Sequence, residues 1–254
     1  MKKQSPFPRN DKSETPFFQP ASDHSLLISF GNEISSESHR RVVQLSQQLL
    51  KHPSDFILNI QPAYSSILVA FDPLHISFEE VESSVRALLS ETRNDPIPMP
   101  NRIEIPVCYD PSFAPDLQDV ATLNGLSKEE VIEIHLSGNY EVAFIGFTPG
   151  FPYLAGMSSR IATPRLPTPR TRVPAGSVAI GGGQTGLYPM STPGGWRIIG
   201  RTPLTLFMPE RNPPSLLTLG DEVRFRRISR LEFDQFQSPS LSSSDEPKPG
   251  SSSC

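Results

Sequence analysis

The sequence predicts an α+β protein in two parts: a small N-terminal α/β sandwich followed by a β-barrel. Two observations carry this expectation. Between residues 24 and 91, β-rich runs alternate with two amphipathic helical patterns, as in helices packed on one face of a sheet. After Gly146 the helical period disappears, and 11 of the 16 glycines fall between Gly146 and Gly200. Short β runs separated by Gly/Pro turns then point to a closed or nearly closed barrel.

Residues 1–22 are polar and Pro-containing and read as disordered. Residues 23–97 form the predicted sandwich. His24–Gly31 (HSLLISFG) is its first strand. Ser35 or Ser36 then caps a helix in which Val42, Val43, Leu45, Leu49 and Leu50 recur at helical spacing. DFILNIQPAYSSILVAFDP reads as a hairpin about a Pro-Ala-Tyr turn. Ser77 with Glu80 three residues on is a capping box opening a second helix. The Pro-rich stretch Arg93–Arg102 places a domain boundary near residue 98. Residues 98–237 are the predicted barrel domain. It starts with the strand RIEIPVCYD, two short helices (the second capped by Ser127) and the strand YEVAFIGF. The runs SVAIGG, TGLYP, WRIIGRTP, TLF and DEVRFRRI are its further β segments. Residues 238–254 are a Ser/Pro tail, read as disordered.

Mean hydropathy is −0.29, and apolar runs such as Ile67–Phe71 are far shorter than the roughly 20 residues a membrane helix needs. A membrane partner is therefore not expected. The two N-terminal lysines have no apolar core behind them, so no secretory signal is read there. Two cysteines, Cys108 and Cys254, give neither a disulfide framework nor a metal spacing, which fits a reducing cytoplasm.

The net charge of −4 argues against a general nucleic-acid binder. Its distribution is uneven. From Val142 to Pro209 there is no Asp, Glu, Lys or His, and six arginines stand at 160, 165, 170, 172, 197 and 201. Such a window suits an anionic ligand, because guanidinium pairs bidentately with carboxylate or phosphate. The competing reading is that these arginines cap carbonyls or pair with acids from elsewhere in the fold.

Gly181–Gly186 (GGGQTG) matches G-x-G-x-x-G in form, but that motif must open a helix. Pro189 and Pro193 block one here. Turn geometry and ligand contact both remain open for these glycines, and exposed amides at Gly182 and Gly183 could hold an anion. Walker A, G-x-S-x-G, H-E-x-x-H and CxxC patterns are absent. Metal-dependent phosphoryl transfer recruits carboxylates, and the acid-free window has none. A half-site completed by a partner protein is therefore expected, with no metal ligand set within this chain.

GFTPGFPYLAGM (Gly146–Met157), TPRLPTPRTRVPAGSVAIGGGQTGLYPMSTPGGWRIIGRTPLTLF and LGDEVRF together resemble the allophanate hydrolase subunit 1 family. The resemblance runs over roughly residues 24–230 and is densest from Glu141 to Phe207. It implies that the barrel is cyclophilin-like, without the sequence signature of prolyl isomerases. It also implies one component of ATP-dependent 5-oxoprolinase, which converts 5-oxo-L-proline, ATP and water to L-glutamate, ADP and phosphate. The C subunit of that enzyme would be the partner in activating the lactam, and its A subunit would complete ring opening. ATP with Mg²⁺ is the implied cofactor, its ligands not all from this chain.

The motif positions imply Arg172 and Arg201 as catalytic candidates. His135, whose ordinary pKa lies near neutrality, is a candidate proton carrier or hydrogen-bond donor, with a satisfied structural histidine as the equal alternative. Phe151, Tyr153, Gln184 and Tyr188 are candidates for substrate binding, and Gly182 and Gly183 for cofactor contact. On this reading the Gly/Pro-punctuated turn presents Phe151 and Tyr153 to a pocket or a partner; otherwise they plug one end of the barrel. Two other roles fit the same family: an inhibitor docking on a sensor histidine kinase, and a carboxyltransferase-type component of a urea carboxylase-like enzyme.

Overall fold

The computed structural model describes residues 15–31, 35–91 and 100–237. The predicted domain boundary near residue 98, most of the N-terminal segment and the Ser/Pro tail lie outside the described residues. Among the described residues no helix is long and apolar enough to cross a membrane.

The N-terminal unit contains β1 (Phe17–Ser22), β2 (Ser25–Ser29), α1 (Ser36–Lys51), β3 (Ile57–Pro62), β4 (Ser66–Phe71) and α2 (Phe78–Glu91). Its antiparallel sheet has the order β1-β2-β4-β3. Leu26, Ile28, Ile67 and Val69 meet Val42, Leu45, Leu49, Val81 and Val85 in one buried core. Both helices are capped as their sequences require: Ser35 Oγ accepts from the Ser38 amide at 3.0 Å, and Ser77 with Glu80 forms a reciprocal box.

β1 corrects the expectation of disorder through residue 22. Its register pairs Phe17 with Ser29 and Phe18 with Ile28. Phe18 packs on the core, with the Arg86 guanidinium 4.0 Å from its ring centre. Pro20 is tolerated because β1 is an edge strand, where one side of the backbone needs no ladder partner.

The second unit is a closed seven-stranded barrel in the order β10-β7-β6-β13-β5-β12-β9. These strands are β5 (Arg102–Cys108), β6 (Tyr140–Ile145), β7 (Pro152–Ala155), β9 (Ser177–Gly181), β10 (Gln184–Leu187), β12 (Arg197–Arg201) and β13 (Glu222–Ile228). β5 and β13 are parallel and the other pairs antiparallel. α3 (Leu117–Leu123) and α4 (Lys128–Ser137) pack on the barrel, and α5 (Arg230–Gln237) covers the end of β5 through Phe233. A two-stranded ribbon, β8 (Arg170–Val173) with β11 (Thr192–Gly194), lies against its outside. The predicted TLF strand is not formed, and Phe207 makes only a single bridge to Ser215.

The units meet where α1 and the β3–β4 turn reach the barrel. His39 Nε2 stands 3.3 Å from Glu141 Oε1. Tyr64, in that turn, packs edge-on against Phe144, and its hydroxyl oxygen accepts a 2.8 Å bond from Gln184 Nε2.

Candidate functional site

Strand alternation puts two different layers on the barrel wall. Val178 and Ile180 point inward with Ile105, Val107, Val142, Leu154 and Ile199. Ala179 points outward, under Phe151, Val173, Tyr188, Trp196 and Ile198. The glycines of GGGQTG make this outer layer fit. A Cβ on Gly181 would stand 2.5 Å from the Trp196 indole, and one on Gly186 would stand 2.9 Å from the Phe151 ring. These are places where an aromatic ring lies directly on the backbone.

The loop from β6 to β7 sits beside this layer. The Gly146 amide donates to Phe151 O at 3.1 Å, and the Phe151 amide donates to Thr148 O at 3.1 Å. This tight closure holds Phe147 at φ +66°, a left-handed conformation that a non-glycine residue adopts at a cost. Phe147 is 61% exposed, with its ring set steeply against those of Phe151 and Tyr188, 5.6 and 6.4 Å away. A strained, exposed phenylalanine on a defined loop is a feature that core packing does not require.

From this loop an aromatic row runs along the surface. Phe144 stacks on Tyr153 at 4.3 Å between centroids, Tyr153 meets Trp196 edge-on at 5.6 Å, and Tyr64 closes the other end on Phe144. Burial pushes the Tyr64 phenol up to about 12 even though Gln184 donates to it. Burial also raises the Tyr153 phenol, with the positive charge of Arg165 opposing. Both hydroxyls therefore remain protonated near neutral pH and act as hydrogen-bonding groups.

The arginines of the acid-free window divide. Arg170 Nη2 bonds Asp116 at 2.6 Å, and Arg197 Nη1 bonds Asp119 at 2.9 Å. Arg201 Nε donates to Ala175 O. Three are thus explained by pairing with distant acids or capping a carbonyl. Among the described residues Arg172 bonds the Ser191 hydroxyl, at 2.9 Å, and stays exposed, as does Arg160. Arg165 is exposed, lies 5.8 Å from the Trp196 ring centre, and has no carboxylate partner among the described residues.

Several predicted roles need correction. His135 is fully buried inside the barrel, stacked on Phe225. Its Nδ1 is 2.8 Å from the Tyr109 hydroxyl and its Nε2 is 3.4 Å from Thr185 Oγ1. Burial drives its pKa down to about 3. A neutral ring sealed from solvent reaches no substrate on the outer face. Phe151 and Tyr188 are 1% and 2% exposed, so they floor the aromatic layer and do not offer it to a ligand. Tyr153 and Gln184 remain half-buried at the surface.

Arg201 lies elsewhere, toward α5, with its guanidinium over Phe113. Burial lowers its pKa, and the nearby Arg230 charge adds to this. Gly182 and Gly183 form the two-residue β9–β10 turn, with Gly182 at φ +68°. The Gly182 amide is not free for an anion, because it donates to Thr163 O at 2.8 Å.

The sequence named Arg165, Trp196, Tyr64 and Phe144 only as parts of charge or strand patterns, and the structure gathers them. It does not gather His135, Arg172 and Arg201. Two shallow grooves, of about 490 and 540 Å³, lie at Phe56–Ser84 and at Cys108–Arg230, and neither includes the aromatic row. Tyr64, Phe144 and Tyr153 of the row are half-buried at the surface, and Trp196 is buried beneath Arg165.

A barrel wall with this outer layer, preceded by an α/β sandwich, is the architecture of a carboxyltransferase-type domain. The chain belongs to the carboxyltransferase domain family, subdomains C and D, which matches residues 16–217. It is 45% identical over 228 residues to the B subunit of 5-oxoprolinase from Bacillus subtilis, covering 86% of this chain and 95% of that protein. A conserved uncharacterized protein of Pyrococcus horikoshii, solved by crystallography, is 49% identical, with a TM-score of 0.52 over 85% of this chain and all of that one. The crystal structure of TTHA0988 matches at 38% identity and a TM-score of 0.72, over 80% of this chain. This chain spans 40% of the length of that larger protein.

Proposed function

We propose that this chain is the B component of an ATP-dependent 5-oxoprolinase, acting with a C component to activate the lactam and with an A component to complete ring opening. The observation that carries the reading is the 45% identity to the B component of a known 5-oxoprolinase, across 95% of that protein's length. The half-buried aromatic row supports it. A small lactam needs to be enclosed for chemistry that excludes water, and a second protein laid on this row would enclose it.

The residues fit part of MgATP. Arg172, exposed and bonded to the Ser191 hydroxyl, suits a phosphate. Among the described residues no three of His, Cys, Asp or Glu converge as a metal set, so carboxylates for Mg²⁺ would come from the partner. ATP would supply the phosphoryl group that makes the lactam oxygen a leaving group. This chain's part is to bind and orient the ring.

The test is glutamate release from 5-oxo-L-proline and ATP by the three components together, with each omitted in turn. Loss of release when this chain is left out is the expected result. Unchanged release without it would end the oxoprolinase reading.

A further inference from the structure

The segment Pro164–Arg170 crosses the outside of the barrel as a strap. The Leu166 amide donates to Gly195 O at 2.7 Å, Arg197 Nε donates to Pro164 O at 3.0 Å, and Arg170 is tied to Asp116. Three anchors on a short, Pro-rich segment fix where it carries Arg165. That guanidinium stands over Trp196, and its charge reaches both the Tyr153 and the Tyr188 phenols.

Positive charge here exceeds what the protein itself satisfies. Arg165 has no carboxylate among the described residues. Arg170 uses Nη2 on Asp116 but leaves Nη1 buried with no acceptor. Tyr153 is half-buried, its ring 5.6 Å from the Trp196 indole, and its hydroxyl has no hydrogen-bond partner among the described residues. An unpaired guanidinium over Trp196, whose neighbour Tyr153 carries an unused hydroxyl and stacks on Phe144, suits a carboxylate on a small, partly apolar ring.

We propose that Arg165 is the residue that binds the substrate carboxylate, with the Tyr153 hydroxyl as second donor and the half-buried Tyr153–Phe144 stack as the floor for the ring, Trp196 lying buried beneath Arg165. The assignment of the ring acid as 5-oxoproline rests on the proposed function. The assignment of a carboxylate site does not.

The chain's single tryptophan, Trp196, lies under Arg165 and supplies the readout. The full chain is titrated with 5-oxo-L-proline, with 2-pyrrolidinone (the same lactam without the carboxylate), with inorganic phosphate and with ATP. A saturable change in Trp196 emission is expected with 5-oxo-L-proline and not with 2-pyrrolidinone. Arg165→Gln should weaken it at least tenfold, and Arg165→Lys should weaken it less. In the three-component assembly, Arg165→Gln should raise KM for 5-oxo-L-proline at least tenfold and leave KM for ATP unchanged.

Equal responses to the two lactams would overturn the proposal, as would a response to phosphate or ATP alone. So would no response in the chain combined with an unchanged KM in the assembly. If the chain alone is silent but KM rises as predicted, the site is confirmed and needs the partner to close it. If omission of this chain leaves glutamate release intact while carboxylate binding persists, the oxoprolinase reading fails and the carboxylate site stands.

Discussion

The two faces of the barrel wall solve different problems with the same strands. The inner face is aliphatic and closed: Val178, Ile180, Leu154 and Ile199 fill it, and the one imidazole among them is kept neutral. The outer face is aromatic and partly open, and its rings lie on glycines that leave no room for a side chain. Only the outer face carries features that packing alone leaves unexplained. These are Phe147 at positive φ, Arg165 without an acid and Tyr153 with an idle hydroxyl. Close packing holds the inside; the outside offers chemistry to a second surface.

The largest expected effect concerns the inner face and comes from His135. Its folded pKa is about 3 against an ordinary 6.5. As pH falls through 6.5 the unfolded chain takes up a proton that the folded chain refuses. The stability is thus intact above pH 6.5 and drains away between 6.5 and about 3, by on the order of 4 kcal/mol. His135→Gln lacks this titration. Urea unfolding across that window should show a shallower acid slope for the variant, and parallel slopes would mean that the ring is not sealed.

On the outer face, Gly181→Ala puts a methyl group against the Trp196 indole and should cost about 3 kcal/mol in thermal unfolding. Gly183→Ala, two residues on and facing open space, should be close to neutral. Equal effects at the two positions would break the claim that aromatic rings rest on strand glycines. Smaller still is the junction between the units. Tyr64→Phe removes the acceptor of the Gln184 bond and should cost about 1 kcal/mol. Differential scanning calorimetry should then show the two units melting less cooperatively than in the parent chain.

The sequence makes some parts of this molecule plain and hides others for physical reasons. α1, α2 and α4 are readable because Ser35, Ser77 and Ser127 cap them and the capping chemistry is local. β9 and β13 are readable from their branched and aromatic residues. β7, β8 and β11 are not: Pro152 opens one, Arg170-Thr-Arg-Val forms another, and Thr192-Pro-Gly the third. Such strands exist only because a partner strand pairs with them.

The anionic-site signal is legible as a missing set of acids, but which arginines are spare is not. Asp116 neutralises Arg170 across 54 residues and Asp119 neutralises Arg197 across 78. Only the fold shows that Arg165 and Arg172 are left without an acid among the described residues. His135 misleads because residue type reveals what can titrate and not whether solvent reaches it.

The claim that the outer face is the working surface is tested most directly at Phe147. Phe147→Gly removes the exposed ring and gives the φ of +66° to the residue that adopts it freely. The measurement is glutamate release from 5-oxo-L-proline by the three-component assembly carrying this variant, beside the variant's own thermal midpoint. The expected outcome is an unchanged or slightly higher midpoint and at least a tenfold loss of release. Full release from a Phe147→Gly assembly that is as stable as the parent would contradict it.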